Sequence, residues 1–338
     1  MSLLPAPRPH PGYWFLWLAA FYGVWVWLVF GLGNLPVALD HWPIAVAMAA
    51  GSYAAGSTPM GGGTVGFPIL VLLFDQPAQL GRDFSFAIQS IGMVSAGIFI
   101  LCRRQPLAGA MLKGSLIGST IGTPLGILLI APWVPALAIK IIFAVLWGSF
   151  GLLHLRRIGE IAGHSGMTDF DERWDARVGF AIGFFSGISV VAVSGVGVDM
   201  ILYTVLVLLC RADLKIAIPS SVIVMAWTSV VGIGTKALFT GIQPGVYENW
   251  LAAAPVVAIG APLGAFIVDR IDRRPTLFVV AFLCVGQLLW TLWQERGSLA
   301  VPGLLAVGAA LALCLLGFEK LRTHGAILVS ERQTRRGG

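Results

Sequence analysis

The chain has 338 residues, of which 57% are hydrophobic and only 11% are charged, and its formal net charge is +6. A soluble domain carries roughly a quarter charged residues, and its core does not require so many long apolar stretches. The composition excludes a soluble globular protein and predicts a multi-spanning membrane protein. The sequence has no basic run with interleaved aromatic residues, so no nucleic-acid partner is expected.

Apolar blocks follow one another along the chain, and most are close to the roughly 20 residues that cross a bilayer. The first is too long for the core of a signal peptide and no cleavage site follows it, so we expect a retained helix. Two adjacent pairs of blocks, 43–57 with 64–74 and 178–193 with 199–210, are too short to span comfortably and predict helical hairpins. The other blocks lie at 13–30, 84–101, 107–130, 136–155, 216–239, 249–268, 276–293 and 299–318.

The first hairpin contains the stretch GSTPMGGG at residues 56–63. A helix that begins inside the membrane leaves its first N–H groups without partners, and an anion can satisfy them. Glycine lets the backbone approach such a ligand closely, while hydroxyl groups add donors. A tight turn would also use glycine, but the short blocks on either side favour a substrate-binding site. The predicted residues are Ser57, Thr58, Gly61, Gly62, Gly63 and Thr64.

Polar residues follow each hairpin at equivalent places, inside helices 84–101 and 216–239. These residues are Gln89, Ser90, Ser220 and Ser221. Polar side chains between membrane helices commonly form interhelical hydrogen bonds, and they can also contact a substrate. Both interpretations stay open, and the four residues belong to the predicted substrate-binding set.

Two helices carry nearly the same stretch, IGTPLG at 121–126 and IGAPLG at 259–264. Pro124 and Pro262 each remove a helical N–H, so both are predicted helix kinks whose freed carbonyls find partners inside the protein. A stripe of glycines in the first helix predicts close packing against another helix. The kinked pair can in addition line a substrate path. The stripe consists of Gly114, Gly118, Gly122 and Gly126.

The second hairpin contains VSGVG at 193–197, with Ser194, Gly195 and Gly197 as predicted substrate contacts, and then Asp199. Asp199 is the only acidic residue that we place well inside an apolar block, and an ionisable group at that depth indicates function. It opens a helical segment, so it fits a helix N-cap, a coupling residue that carries a proton or accompanies a cation, or both. As a carboxylate it would compete with an anionic substrate, and protonation or a bound cation would relieve that competition.

The cations give the orientation, because Lys and Arg are retained in cytoplasmic loops. If each short pair is a hairpin, most of the 22 Lys and Arg residues fall on one side of the membrane, and both termini are cytoplasmic. Only Arg82 and Arg296 lie in loops on the other side. Lys140 and Lys236 sit about a turn inside helix ends and are expected to snorkel outward, and His154 is expected at the cytoplasmic interface. The cytoplasmic cations lie at 8, 103–113, 156–177, 211–215, 270–274 and 320–336.

Repeated letters divide the chain into two similar halves. LVLL occurs at 70–73 and 206–209, and the two IGxPLG stretches follow at nearly the same offset, which indicates an internal duplication. The predicted fold is an all-α integral membrane protein of two inverted-topology repeats, each a Gly-rich broken-helix hairpin plus three transmembrane helices, with one extra helix at each end. The predicted units are an N-terminal tail and helix at 1–42, repeat 1 at 43–155, a cytoplasmic linker at 156–177, repeat 2 at 178–293, and a last helix with a basic tail at 294–338.

These features resemble the TauE/SafE family, also called the sulfite exporter or toluene-sulfonate uptake permease family. The resemblance covers roughly 43–293 and is carried by GGGTVGFPILVLL at 61–73 and by the IGxPLG helices. It implies a secondary transporter for sulfite, sulfonates or related organosulfur oxyanions in a bacterial inner membrane. The hairpin residues that correspond to the family pattern are Gly61, Gly62, Gly63 and Pro68. In the second hairpin Asp199 stands opposite Gly63 and Thr204 opposite Pro68, a departure from the glycine cluster and proline that the family often shows.

The sequence therefore predicts a transporter that moves a small anion by alternating access, with proton coupling as one option. The alternative is an anion channel that uses the same hairpins as a filter. The apolar blocks contain no HExxH motif, Ser/His/Asp set or paired carboxylates, and the four cysteines show no metal or disulfide spacing. No enzyme activity, metal or cofactor is expected. The expected partners are the anion, membrane lipid, protons or a cation, and a homodimer is an option.

Overall fold

The computed structural model describes residues 10–168, 170–268 and 273–337, and these ranges form helices and no β-strand. The helices are α1 (Gly12–Val26), α2 (Leu35–Asp40), α3 (Trp42–Ser57), α4 (Gly63–Pro68), α5 (Ala78–Cys102), α6 (Gly109–Leu129), α7 (Ala136–Ile161), α8 (Glu172–Ser186), α9 (Ala192–Ser194), α10 (Val198–Leu208), α11 (Leu214–Thr235), α12 (Val246–Val268), α13 (Arg273–Gln294) and α14 (Val301–Gly337). Short π-helical turns extend α1, α4, α8 and α11. Of the predicted cytoplasmic cations, Arg8 and Arg270 lie outside the described residues.

Nine helical segments within the described ranges are long and apolar enough to cross a membrane. The chain is therefore a multi-pass, all-helical membrane protein, as predicted. The prediction of a short first arm in the second hairpin was wrong, because α8 with its extension forms a segment of 23 residues, Glu172–Ser194. Its charged first turns are not apolar, but they continue the helix. The second arm, α10, has 11 residues and is short as predicted.

The helices of the two halves pair in a reciprocal pattern. α6 packs on α8 and α12 packs on α3, while α5 packs on α11 and α7 packs on α13. Within each half, α4 lies against α5 and α10 lies against α11. α1 and α14 are mostly exposed and lie at the periphery. Each hairpin is thus held by a proline-containing helix from the other half.

The glycine stripe of α6 lies directly against α8. A Cβ added at Gly118 or Gly122 would overlap the backbone carbonyls of Phe180 and Phe184, and a Cβ at Gly183 of α8 would overlap the backbone of α6. α3 and α12 meet in the same way, through glycines on both helices. Contact at this distance leaves no room for a side chain, and such small-residue faces supply much of the association of membrane helices.

Prolines inside α12 free backbone carbonyls, and side chains of other helices satisfy them. Pro262 frees the carbonyl of Ala258, which accepts a hydrogen bond from Ser95 Oγ at 2.6 Å. Pro255 frees a carbonyl one turn earlier, and the indole of Trp25 in α1 donates to it at 2.8 Å. Because lipid offers no hydrogen bonds, these contacts fix α5 and α1 against α12.

A cluster of buried charges lies between the start of α5 and the end of α11. The carboxylate of Asp83 is fully buried and forms ion pairs with Arg82 at 2.8 Å and with Lys236 at 3.2 Å. The expectation that Lys236 snorkels outward was therefore wrong, and Asp199 is not the only deeply buried acid. The carboxylate partner explains the difference, because a paired ammonium group can be held in the interior where an unpaired one cannot.

A further expectation about polar side chains needs correction. His154 is buried rather than interfacial, with one ring nitrogen 2.9 Å from the Phe150 carbonyl and the other 3.1 Å from the Tyr203 hydroxyl. The ammonium group of Lys140 pairs at 2.6 Å with Glu295, in the loop that follows α13, and its side chain stays 17% exposed. Lys140 is therefore paired but still within reach of water.

Candidate functional site

The breaks of the two hairpins meet in the protein interior. The first break lies between α3 and α4, and the second lies between α9 and α10. The carboxylate of Asp199, in the first turn of α10, accepts a hydrogen bond from the Gly61 N–H at 2.7 Å. A single side chain therefore joins the two halves of the chain at their irregular segments, and we call this contact the hairpin junction.

Asp199 also accepts hydrogen bonds from the N–H groups of Gly197 at 3.2 Å and Met200 at 3.0 Å. In the part of the chain that the structure describes, no ion pair involves this carboxylate. The N-cap position of α10 belongs to Gly197, so Asp199 is not the N-cap residue, although it satisfies N–H groups at that helix start. Backbone dipoles, rather than a cation, stabilise the carboxylate.

Glycine is required at both breaks, for different reasons. Gly195 and Gly197 have φ angles of 80° and 121°, which residues with a side chain rarely adopt. In the first break the reason is space. A Cβ at Gly61 would collide with the side-chain oxygen of Gln89, and a Cβ at Gly63 would lie 2.8 Å from its amide nitrogen.

Gln89 reaches the hairpin junction from α5. Its Nε2 donates to the carbonyl of Ser85 at 2.9 Å and to the carbonyl of Gly195, in the second break, at 3.1 Å. Its Oε1 lies beside Gly61, is buried, and has no hydrogen-bond partner among the described residues. Of the polar residues predicted in the helices that follow the hairpins, Gln89 is the one that the structure brings to both breaks.

Other predicted residues lie away from the hairpin junction. Ser90 lines a cavity on another part of the protein, together with the loop before α12. Ser220 accepts a hydrogen bond at 3.0 Å from a backbone N–H that precedes α6, and Ser221 donates within its own helix. Pro124 and Pro262 lie inside α6 and α12, which continue as helices through both residues. Ser220, Pro124 and Pro262 therefore belong to the contacts and the helices that hold the hairpins in place.

Most hydroxyl groups of the hairpins are already engaged. Ser57, Thr58 and Ser194 donate to carbonyls of the turn that precedes each of them, at distances of 2.6–2.8 Å. The hydroxyl of Thr64 is buried and has no partner among the described residues. Thr64 is therefore a predicted hairpin hydroxyl that the described residues leave without a hydrogen bond. Gly62 lies between Gly61 and Gly63, and a Cβ added there would meet Met48 at 3.5 Å and Ala55 at 3.8 Å.

A cavity of about 260 Å³ lies beside the hairpin junction, between the first hairpin, α7 and α13. Thr64 and Trp147 line it, and the indole nitrogen of Trp147, like the Thr64 hydroxyl, is buried without a partner in the described ranges. Met60 and Cys284 also line it, with their sulfur atoms 3.8 Å apart. The ring of Trp147 reaches the second break, because a Cβ at Gly197 would lie 3.4 Å from it.

Of the residues that line this cavity, sequence reasoning named Thr64 and Pro68 and missed the others. A lone Trp, Met or Cys in an apolar stretch usually fills space in a core, so Trp147 and Cys284 carried no local signal. Met60 offered a weak one, because it stands inside the glycine-rich break, where the chain is not helical.

The buried charge cluster was also missed, and there the sequence offered a stronger signal. An ammonium group within an apolar block, such as that of Lys236, requires a buried acidic partner.

Comparison with known proteins identifies the protein family of this chain. A profile of the sulfite exporter TauE/SafE family matches residues 43–292. The chain belongs to this family. The predicted family is thereby confirmed, and TauE/SafE proteins are transporters rather than enzymes. Neither the search of curated proteins nor the search of solved structures gave a match.

The TauE/SafE match begins at the first hairpin and ends in α13. It therefore includes both breaks, Asp199 and the cavity beside them, and it leaves out α1 and α14. The shared part of the family is the part that contains the hairpin junction.

Proposed function

We propose that this TauE/SafE protein is a secondary transporter that moves a small oxyanion, such as sulfite or a sulfonate, by alternating access. The hydrogen bond between the Gly61 N–H and the Asp199 carboxylate carries the proposal, because it joins two broken hairpins from different halves. Paired broken helices that meet at a repeat interface form the substrate and ion site in many transporters. Irregular backbone at membrane depth is tolerated where protein or a cavity surrounds it.

The halves 43–155 and 178–293 are proposed to be inverted-topology repeats. Support comes from the reciprocal helix pairs, from prolines inside both α6 and α12, and from the distribution of cations along the sequence. Both termini and the linker 156–177 would then face the cytoplasm of a bacterial inner membrane. Rocking of one repeat against the other would open the hairpin junction to one side at a time.

Asp199 occupies backbone donors that an anionic substrate would otherwise use, namely the N–H groups of Gly61, Gly197 and Met200. A charged carboxylate there repels an incoming anion. A proton on Asp199, or a cation beside it, removes the repulsion and releases the donors. In this scheme the substrate enters together with the proton, and loss of the proton returns the carboxylate to Gly61.

Counterflow in proteoliposomes tests transport directly. Purified protein is reconstituted with unlabelled sulfite or p-toluenesulfonate inside, and uptake of the labelled anion is followed from outside. We expect saturable uptake that internal substrate accelerates, because alternating access exchanges one bound molecule for another. A conductance across planar bilayers that does not saturate, without counterflow, would instead establish an anion channel.

A further inference from the structure

The last helix, α14, is longer than a membrane span requires. Its 37 residues correspond to about 55 Å, whereas roughly 20 residues cross the hydrocarbon core. The apolar part ends at Phe318, and charged residues begin at Glu319. We call residues 319–332 the α14 extension. It continues beyond the membrane on the side that we propose to be cytoplasmic.

We propose that the α14 extension is a latch. It holds the transporter closed on this side, and it leaves the end of α10 each time the transporter opens there. The latch rests on the transport function proposed above and adds a restraint to it. The TauE/SafE match ends at residue 292, so the extension lies outside the part of the chain that the family profile covers.

One face of the extension packs against the rest of the protein. Val329 is buried, and Leu321 and Leu328 pack on the hydrophobic core. With Gly325 these residues recur three or four positions apart, which places them on one side of the helix. The membrane-spanning part of α14 is, by contrast, mostly exposed. The extension is therefore docked on the other helices, and its partners are α7 and α10.

The contact with α10 is made at Gly325. A Cβ added at Gly325 would overlap the carbonyl oxygen of Leu208 and would lie 2.8 Å from the Cα of Leu209. Glycine at this position lets the two backbones meet, because no side chain fits between them. Leu208 is the last residue of α10, the short arm of the second hairpin. The extension thus covers the far end of the helix that has Asp199 in its first turn.

The contact with α7 is made by charged side chains. Arg322 pairs with Glu160 at 3.1 Å, and Glu319 pairs with Arg157 at 3.4 Å. Arg322 also pairs with Glu319, so the four charges form one network. Each of these side chains is partly exposed and a single exposed pair contributes little, but a network of several charges holds its members more firmly.

α7 belongs to the first half of the chain and α10 belongs to the second. An element that bridges them resists motion of one half against the other, and the proposed alternating access requires this motion. The contact with α7 has four charged partners, whereas the contact with α10 is packing at a glycine. We therefore expect the extension to stay on α7 and to separate from α10.

Counterflow of the full-length protein tests the latch with Gly325→Leu. The leucine side chain does not fit against Leu208, so it detaches the extension, while leucine itself favours the helix. Gly317→Leu is the matched control, because Gly317 lies in the same helix and a Cβ added there meets nothing within 4 Å. With sulfite or p-toluenesulfonate as the anion, we expect counterflow about two- to fivefold faster in Gly325→Leu and unchanged in Gly317→Leu.

Cys210 reports on the latch in the wild-type protein, so this second measurement does not depend on the folding of a variant. Cys210 is 0% exposed and follows Leu209, which the extension covers. Proteoliposomes are treated with N-ethylmaleimide, with or without the anion on both sides, and each cysteine is followed by peptide mass spectrometry. We expect the anion to accelerate modification of Cys210 about threefold or more. Cys102, which is partly exposed at the end of α5, should react at a constant rate.

Modification of Cys210 that the transported anion leaves unchanged would show that the extension stays docked during transport, and the latch would be rejected. Slower or unchanged counterflow in a folded Gly325→Leu variant would show that the extension only supports the fold. In both cases wild-type counterflow persists, so the latch fails alone. If no oxyanion shows counterflow in wild type, the proposed transport function fails and the latch fails with it.

Discussion

Asp83 and Asp199 are both completely buried, but different kinds of group hold them. Asp83 lies between the cations Arg82 and Lys236 and accepts a further hydrogen bond from the Gln243 N–H at 3.1 Å. Asp199 accepts hydrogen bonds from backbone N–H groups. Removing a carboxylate that lies between two buried cations would strand their positive charge. A carboxylate on backbone dipoles can take a proton or change partners without that penalty.

The largest expected effect is therefore at Asp83. Asp83→Asn leaves the Lys236 ammonium buried without a carboxylate, and breaking a buried pair in this way costs about 3–5 kcal/mol. Thermal unfolding in detergent should show a large drop in stability. The double variant Asp83→Asn/Lys236→Met removes the stranded ammonium and should recover part of the loss. A single variant as stable as wild type would show that the cluster does not hold α5 to α11.

Neighbouring glycines at the first break offer a finer comparison. Gly61→Ala places a methyl group against Gln89 and about 3.2 Å from Asp199, and such overpacking costs about 1–3 kcal/mol. Gly62→Ala is the matched control, because its methyl would meet Met48 at 3.5 Å and its φ of −57° suits alanine. Thermal stability and the rate of counterflow should both fall in Gly61→Ala and stay near wild type in Gly62→Ala. Equal behaviour would contradict the contact between the breaks.

The breaks themselves could be predicted from the sequence, because each one interrupts an apolar block. The glycine runs at 56–63 and 193–197 and the charge of Asp199 are local features that need no knowledge of the fold. Their meeting could not be predicted in detail, since it depends on how α6 and α12 each hold the hairpin of the other half. The all-helical membrane class and the family thus followed from the sequence, whereas the hydrogen bonds of the hairpin junction came from the structure.

The rest of the site shows why local reasoning stops. Asp83 and Lys236 are far apart in the chain, and each resembles a charge near a helix end until α5 packs on α11. Trp147 and Cys284 look like ordinary apolar packing, and it is the convergence of the first hairpin, α7 and α13 that forms the cavity they line. A functional role that arises from tertiary contacts cannot be recognised in the local sequence around each residue.

Asp199→Asn removes the charge of Asp199 but keeps a side chain of nearly the same shape, so it distinguishes a role of the charge from a structural role. The variant keeps one side-chain acceptor and strands no cation, but its NH2 group must face either the Gly61 N–H or the N–H groups of Gly197 and Met200. We therefore expect a loss of about 1–3 kcal/mol, less than for Asp83→Asn. If the carboxylate carries the coupling proton, wild-type counterflow rises as the pH falls, and the variant loses this dependence. Counterflow measured across a pH series decides the question. Wild-type pH dependence in the variant would reject the coupling role and leave Asp199 as a structural acceptor.

The smallest effect is expected at the Lys140–Glu295 pair, whose side chains are 17% and 13% exposed. Water can reach both groups, so Glu295→Gln leaves a cation that is partly hydrated, and the expected loss is about 1 kcal/mol or less. A double-mutant cycle with Lys140→Met, read by thermal unfolding, isolates the pair. A coupling energy as large as that of Asp83 with Lys236 would mean that deeper burial does not make the Asp83–Lys236 pair the stronger of the two. The contrast between a fixed and a movable carboxylate would then need a basis other than the cost of stranding a buried charge.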